Sequence, residues 1–304
     1  MSTDLERDFP LARLTTVRAG GNAELYARPE TETELVELLA MAKREGHGVE
    51  MVGSGSNLLV ADDGVPGLVL KLDGELGALE RDGTRVLCGG GVRLPSAAAK
   101  IARWGLTGLE FGINIPGTVG GAVRMNANAY GGQLARVLEW VTICTADGPI
   151  RRTPDELGFD YRHSNLGPGE VVARASFALA ESDPDQVKAT LAEMRSKRRE
   201  AQPSGIKTFG STFKNPDDPR AEGMSAGQLL DSVDARGLTV GGARLSEKHA
   251  NFVENTGAAT TAEILELMSR ARHLVFERYG IVLGPEVQIL GSPAWPADWE
   301  LASA

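Results

Sequence analysis

Two glycine-rich loops carry residue types that can bind a phosphate group through the backbone. They are "GSGSN" at residues 53–57 and "IPGTVGGA" at residues 115–122. Glycine lets a backbone approach a ligand closely, and several N–H groups that converge on one point bind an anion without a lysine. One diphosphate could be held between the two loops. The same spacing also fits two tight turns between strands, so both interpretations stay open on glycine spacing alone.

Neither loop matches a known nucleotide motif. "GSGSNL" lacks the third glycine of the dinucleotide fingerprint, and no lysine follows the glycines of the second loop. A Rossmann-type site and a Walker loop are therefore not supported.

The histidines at 47, 163, 249 and 273 show no metal-binding spacing, and Cys88 and Cys144 are isolated. We expect two buried, apolar cysteines and no metal site.

Composition limits the class of protein. The chain has 304 residues, enough for two or three domains, and a formal net charge of −9. This charge argues against a nucleic-acid partner, yet it permits one phosphorylated ligand held by local cations. No stretch approaches the roughly 20 apolar residues of a membrane span. Because the N-terminal "MSTDLERDFP" is polar and unlike a signal sequence, we expect a cytoplasmic protein with no membrane insertion.

The hydrophobic pattern predicts short strands mixed with helices. Helices are predicted after a capping box at Thr31 and Glu34, at 95–104, after Pro184, near 225–233, and after a capping box at Thr260 and Glu263. Strands are predicted at 49–52, 58–61, 67–72, 85–93, 139–146, 171–180, 238–245 and 281–290. Because these elements follow no regular strand–helix alternation, we expect an α+β fold.

Three parts are expected along the chain. They are residues 1–75, residues 76–183 and residues 184–304, and the strand at 281–290 is expected to close the core of the last part. The loop-rich "AQPSGIKTFGSTFKNP" lies near the start of that part and indicates a boundary.

Seven segments, in order, resemble the UDP-N-acetylenolpyruvoylglucosamine reductase family. They are "TTVRAGGNAEL", "GSGSNLLVADDGVPGLVLKL", "GLEFGINIPGTVGGAVRMNANAYGG", "FDYRHSNL", "GSTFKNP", "VGGARLSEKHANFVEN" and "GPEVQI". One motif of this length could occur by chance, whereas seven in the family's order are specific. The short span between Arg162 and Ser211 resembles the shorter subclass, which lacks an extra tyrosine loop over the substrate.

The resemblance implies a vanillyl-alcohol-oxidase-type (PCMH-type) FAD-binding domain in two lobes, 1–75 and 76–183, followed by a C-terminal α+β substrate-binding domain. It implies that both glycine loops wrap FAD, which backbone amides can do in an acidic protein. The implied cofactor-binding residues are Gly53, Ser54, Gly55, Ser56, Asn57, Leu58, Ile115, Pro116, Gly117, Thr118, Gly120, Gly121, Ala122 and Asn126. Neither loop contains the His or Cys that attaches FAD in some related flavoproteins, so we expect non-covalent FAD.

The resemblance also implies three catalytic residues. Ser211 matches the proton donor, Arg162 the arginine that stabilises charge growing on the substrate carboxylate, and Glu286 the glutamate opposite it. A serine can protonate a strongly basic enolate-like carbon when held close, and a guanidinium keeps its charge throughout. Taken singly, each residue also fits an ordinary structural role, namely a turn serine, a surface arginine and a strand-edge glutamate.

Other matched residues have less defined roles. Lys214 and Asn215 are expected to contact the sugar or diphosphate of the substrate, and Tyr161 to seat the substrate or the nicotinamide. Lys197–Arg199 form either a diphosphate contact or a solvated helix end. His249 and Asn251 match the family without an assigned chemical role, although Asn251 could brace its domain. Asn114 and Asn128 stand where many family members have Gly, and Asn tolerates a left-handed backbone best.

The implied activity is the NADPH-dependent reduction of UDP-N-acetylglucosamine enolpyruvate. No second dinucleotide motif is present, so NADPH and the substrate are expected to use the flavin in turn. Two alternatives stay open: another oxidoreductase of this fold, such as a carbohydrate or alcohol oxidase, and a binding protein without turnover. The simultaneous presence of Ser211, Arg162 and Glu286 argues against the binding protein, and the oligomeric state is not indicated.

Overall fold

The computed structural model describes residues 4–299, and they form two compact units. Unit 1 contains the described residues up to Arg7, Leu25–Ser54 and Pro66–Glu200. Unit 2 contains Asp8–Glu24, Gly55–Val65 and the described residues from Ala201 onward. The three-part division at 75/76 and 183/184 stays a prediction about domains, and residues 1–3 and 300–304 of that prediction lie outside the described range.

Short strands outnumber helices in the described chain. The helices are α1 (Glu32–Glu45), α2 (Leu94–Arg103), α3 (Val119–Arg124), α4 (Pro184–Ala201), α5 (Ala226–Ser232) and α6 (Thr261–Tyr279). The strands are β1 (Glu6–Pro10), β2 (Asn22–Ala27), β3 (Val49–Met51), β4 (Leu58–Val60), β5 (Val65–Leu70), β6 (Leu79–Asp82), β7 (Arg85–Gly89), β8 (Leu106–Thr107), β9 (Asn128–Ala129), β10 (Gly132–Gln133), β11 (Leu138–Thr145), β12 (Gly148–Arg152), β13 (Val171–Ala178), β14 (Ala180–Glu181), β15 (Thr239–Val240), β16 (Ala243–Leu245), β17 (Val253–Asn255) and β18 (Gln288–Leu290).

Unit 1 is built around a five-stranded antiparallel sheet with the strand order β12-β11-β13-β7-β6. Apolar side chains of this sheet pack with α2 and α3 in one core, whose members include Phe111, Phe177 and Val119. A second core joins α1 to β5 and to the other face of the sheet, through residues such as Leu35, Leu68 and Ala173. β3 pairs with β5 in parallel. The packing of α3 on this core fixes the loop that precedes it.

Unit 2 has its own core, in which α6 packs with α5 and a small antiparallel sheet, β15-β16-β17. Leu267, Met268 and Ala271 lie on the buried face of α6. The predicted capping box is confirmed, because Thr260 and Glu263 each accept a hydrogen bond from the other's backbone N–H. β18 pairs in parallel with β4, so residues 288–290 lie beside residues 58–60.

Two local predictions are corrected. At α1, Thr31 accepts from the Glu34 N–H, but the Glu34 carboxylate accepts from the Glu30 N–H instead of completing the capping box. The strand predicted at 281–290 is regular only at β18. The chain before β18 pairs through a single antiparallel bridge from Pro285 to Phe213, in which Glu286 N–H and Lys214 N–H are the donors and the N–H that Pro285 lacks is not required.

Candidate active site

The two glycine loops meet inside unit 1 at Gly53 and Thr118. A Cβ atom on Gly53 would lie 2.5 Å from Thr118 Oγ1, so only glycine fits there without movement of the neighbouring loop. Ser54 Oγ donates a hydrogen bond to the Pro116 backbone oxygen at 2.5 Å. Segments that lie about sixty residues apart in the sequence are therefore packed directly against each other.

Fewer backbone amides face outward than the glycine count suggested. Three amides of the second loop are used internally: Gly117 N–H donates to Ile115 O at 2.7 Å, Val119 N–H to Val92 O at 2.8 Å, and Gly120 N–H to Gly90 O at 2.8 Å. Within the described chain, the N–H groups of Gly53 and Thr118 donate to no protein acceptor. These two amides can therefore bind a phosphate oxygen.

Lys71 supplies a positive charge beside the first loop, which the sequence analysis missed. Its Nζ donates to the Gly53 backbone oxygen at 2.6 Å. Burial lowers the pKa of Lys71, nearby Arg28 and Arg93 lower it further, and Asp73 opposes them. The sequence held one signal for this role, because Lys71 directly follows the apolar strand β5. A cation next to a buried strand is costly unless it has a partner.

Asn126 has one amide atom that is paired within the protein and one that is not. It is fully buried and has a left-handed backbone with φ of +39°. Its Nδ2 donates to the Asp160 backbone oxygen at 3.2 Å, whereas its Oδ1 accepts no hydrogen bond from the described residues. A buried acceptor without a donor costs about 1–3 kcal/mol. FAD carries suitable donors in its ribityl hydroxyls and flavin N3–H, so the residues present fit this cofactor.

Arg162 lies at the tip of a tight turn in unit 1. Asp160 and His163 exchange two backbone hydrogen bonds of 3.2 Å, which leaves Tyr161 and Arg162 as the two central residues. Arg162 has φ of +54°. In a four-residue turn, a positive φ at this third position is normally adopted by Gly or Asn. Its guanidinium lies 5.1 Å from the centre of the exposed Tyr161 ring. Strain of this kind persists where the surrounding structure enforces it, often at functional sites.

The chain after this turn is fixed to the end of α3. Ser164 Oγ donates to the Arg124 backbone oxygen at 2.8 Å, and the Arg124 guanidinium donates to the backbone oxygens of Leu166 and Glu170 at 3.2 and 3.0 Å. Burial lowers the pKa of Arg124, and Glu50 and Glu170 partly compensate. Thus α3 positions both the second glycine loop and the Arg162 turn.

In unit 2, Ser211 and Glu286 lie on neighbouring chain segments. Glu286 N–H donates to the Thr212 backbone oxygen at 2.8 Å, and Ser211 forms an antiparallel bridge with Phe252. Both side chains are partly exposed. Asn57, an implied cofactor residue, donates through Nδ2 to the Glu286 backbone oxygen at 3.1 Å. The structure thus brings Asn57, Ser211 and Glu286 into one connected arrangement inside this unit.

Three other implied residues of unit 2, Gly55, Lys214 and Asn215, each make a contact that stabilises the local backbone. A Cβ on Gly55, which has φ of +65°, would lie 1.9 Å from the Leu14 oxygen, so the "TTVRAGG" region packs on a position that only glycine can occupy. Lys214 N–H donates to the Gly284 oxygen at 2.9 Å. Asn215 Oδ1 accepts from the Ala226 N–H at 3.1 Å, at the start of α5.

Several expectations about individual residues are settled. Cys88 and Cys144 are buried and free, as predicted, and burial raises the pKa of each thiol to about 12. Asn114 and Asn128 are not among the residues with positive φ, so neither uses the left-handed backbone expected of it. Asn114 instead donates to the Met194 oxygen at 2.8 Å and accepts from Arg198, so Arg198 is not simply a solvated helix end.

The described residues contain neither a metal-binding cluster nor a membrane-spanning helix. Across residues 4–299, no group of three or more His, Cys, Asp or Glu side chains is arranged to hold a metal ion. In the same range, none of the helices has the length and apolar character needed to cross a membrane.

The fold and these residues define an FAD-binding flavoprotein. Residues 23–154 match the family model described as "FAD binding domain", and residues 202–290 match "UDP-N-acetylenolpyruvoylglucosamine reductase, C-terminal domain". The chain belongs to the UDP-N-acetylenolpyruvoylglucosamine reductase family. The predicted α+β fold with a PCMH-type FAD-binding domain and the predicted family are both confirmed.

Similar proteins cover nearly the whole chain. A Symbiobacterium thermophilum protein named UDP-N-acetylenolpyruvoylglucosamine reductase 2 is 42% identical over 96% of this chain and 94% of its own. A reductase of the same name from Agathobacter rectalis is 41% identical over 94% of both chains. The crystal structure of the Thermus caldophilus reductase is 37% identical, has a TM-score of 0.83, and aligns over 95% of this chain and all of its own.

Proposed function

We propose that this protein uses NADPH and non-covalently bound FAD to reduce UDP-N-acetylglucosamine enolpyruvate to UDP-N-acetylmuramate. The observation that carries the proposal is the backbone pairing that places Ser211 beside Glu286, in a chain whose relatives are named for this reductase. When bound, FAD supplies the hydride chemistry, from NADPH to the vinyl carbon of the substrate. The net change is one hydride on the terminal carbon and one proton on the carbon that bears the carboxylate.

The protein's own residues supply the proton and the electrostatic support. Ser211 Oγ donates the proton to the carbon that bears the carboxylate, since the carbanion character there makes a weak acid sufficient. Arg162 neutralises charge that grows on the substrate carboxylate, and Glu286 is the third catalytic residue of the proposal. Lys214 and Asn215 hold the sugar or diphosphate of the substrate, and Tyr161 seats the substrate or the nicotinamide. The strained backbone of Arg162 supports this assignment because it presents the guanidinium from a rigid turn tip.

The cofactor would be held by the implied residues of both glycine loops. Gly53 and Thr118 offer amides to the diphosphate, with Lys71 adjacent, and Asn126 Oδ1 offers an acceptor to a hydroxyl or ring N–H. The shorter subclass fits as well, since β13, β14 and α4 take up most of the chain between Arg162 and Ser211.

The proposed role is a step of peptidoglycan precursor synthesis in the cytoplasm, where it would support cell shape and cell division. Both partners, NADPH and the enolpyruvyl sugar, are small molecules, and no nucleic acid is needed.

An anaerobic titration tests the function directly. The purified protein is loaded with FAD, and NADPH and then UDP-N-acetylglucosamine enolpyruvate are added while the flavin absorbance is recorded. We expect the yellow band to bleach with NADPH and to return with the enolpyruvyl sugar. A band that bleaches but does not return would reject the substrate. Rapid bleaching by a sugar alcohol, with slow bleaching by NADPH, would instead identify an oxidase of the same fold.

A further inference from the structure

The segment "SEKHANF" at 246–252, to which no chemical role is assigned, pairs with the chain around Ser211 through an isolated bridge between Ser211 and Phe252. We propose that Asn251 is the positioning residue for Ser211, and this inference rests on the proposed function. Thr212 N–H donates to the Asn251 backbone oxygen at 2.8 Å. In addition, Phe213 N–H donates to Asn251 Oδ1, and Asn251 Nδ2 donates to the Phe213 oxygen, both at 2.9 Å.

The Asn251 carboxamide pairs with both backbone polar groups of Phe213, as a neighbouring strand would. Phe213 is fully buried, so both of its backbone polar groups need partners inside the protein. An amide side chain carries a donor and an acceptor together, whereas a carboxylate of the same size only accepts. On the other side of this segment, Glu286 N–H donates to Thr212 O and Lys214 N–H to Gly284 O. The residues that follow Ser211 are therefore held from both sides.

His249 in turn fixes the backbone of Asn251. Its Nδ1 accepts the Asn251 N–H at 3.2 Å, and its ring packs edge-on against Phe252. A Cβ on Gly227 would lie 2.7 Å from the His249 ring, so that glycine leaves room for it. The arrangement His249–Asn251–Phe213 is a continuous set of contacts that ends beside the proton donor.

The decisive experiment uses the FAD-loaded full-length enzyme and the variant Asn251→Asp. Asparagine 255 offers a matched control as Asn255→Asp, because it is equally buried in unit 2 but donates to the Val17 oxygen at 2.9 Å. Two rates are measured in single turnovers: flavin reduction by NADPH, and reoxidation of the reduced enzyme by the enolpyruvyl sugar. We expect reoxidation of Asn251→Asp to slow about 100-fold, the typical effect of misplacing a reacting group by an ångström. Its reduction by NADPH should stay close to the wild-type rate.

Other outcomes overturn the inference. Equal slowing of both half-reactions, or slowing of reoxidation in Asn255→Asp to the same extent, would show general damage instead of positioning. A Ser211→Ala background adds a second criterion, because Asn251→Asp should cause no further slowing there. If Asn251→Asp does not load FAD, Asn251→Ser, which is too short to pair with both groups of Phe213, is measured by the same criteria. Failure of the wild-type enzyme to be reoxidised would instead reject the proposed function.

Discussion

Asn126 donates a hydrogen bond from Nδ2 to the backbone oxygen of Asp160 at 3.2 Å, and so connects the chain after α3 to the turn that carries Arg162. The remaining oxygen of the same amide accepts no bond from the described residues. One buried side chain therefore holds the Arg162 turn through Nδ2, while its Oδ1 is the acceptor that we propose for the cofactor. Positions that support a site in this way are as important as the groups that touch the reactants.

Replacing Asn126 with Asp should separate these two purposes. The carboxylate keeps the shape and tolerates the positive φ, but it cannot donate to Asp160, so we expect the free energy of unfolding to fall by about 1–3 kcal/mol. Turnover should fall with a raised KM for the enolpyruvyl sugar, while FAD stays bound. Steady-state kinetics and flavin content check this, with Asn128→Asp, two residues further on at the start of β9, as the control. Loss of FAD with a normal KM would contradict the proposed effect of the hydrogen bond from Asn126 Nδ2 to Asp160.

Replacing Gly53 with Ala should weaken FAD binding. The added Cβ would lie 2.5 Å from Thr118 Oγ1, and overpacking of this kind costs about 1–3 kcal/mol. If the whole cost falls on cofactor binding, it corresponds to an FAD affinity about 5–150-fold lower. Fluorescence titration of FAD into the apoprotein measures it. Gly48→Ala is the matched control, because nothing lies within 4 Å of a Cβ there. Equal affinities of the two variants would show that the Gly53–Thr118 contact does not shape the cofactor site.

Replacing Arg162 with Asn should remove activity without loss of stability. Asn adopts a positive φ more easily, so the free energy of unfolding should stay constant or rise by about 1 kcal/mol. Turnover should fall by about 10²–10³-fold, the usual effect of removing a group that stabilises developing charge. Urea denaturation and turnover assays measure the two quantities. In Arg18→Asn, where φ is +60°, stability should change similarly and turnover should persist. A stable and fully active Arg162→Asn would exclude the proposed role.

His249 should make stability depend on pH. Burial lowers its pKa in the folded state, Asp231 opposes this, and Arg236 reinforces it. A lowered pKa means that the folded protein favours the neutral ring. The contribution of His249 to the free energy of unfolding is therefore fully present above the pKa of the unfolded state, about 6.5, and is lost as the pH falls through the pKa of the folded state. Wild type should therefore lose more stability than His249→Asn between about pH 7.5 and about pH 5 in urea denaturation. Asn retains an acceptor for the Asn251 N–H, and identical pH profiles would contradict the prediction.

Local signals predicted much of the fold. The capping box of α6 was predictable because it involves residues three apart, and α2, α4 and β11 follow from short hydrophobic patterns. The last strand was predicted too long because the apolar pattern could not show that residue 285 pairs with Phe213 while only residues 288–290 pair with β4. The family was recognisable because its motifs are continuous segments in a given order.

The sequence by itself determined the residue types, the local elements and the family, since these depend on neighbours along the chain. Only the tertiary structure decided that Gly53 meets Thr118, that Arg162 has a left-handed backbone, and that Asn251 pairs with Phe213. It also decided which amides remain outward-facing, because the others donate to carbonyls up to thirty residues away. Such relationships arise when distant segments pack and must pair every buried polar group, and no local pattern contains that information.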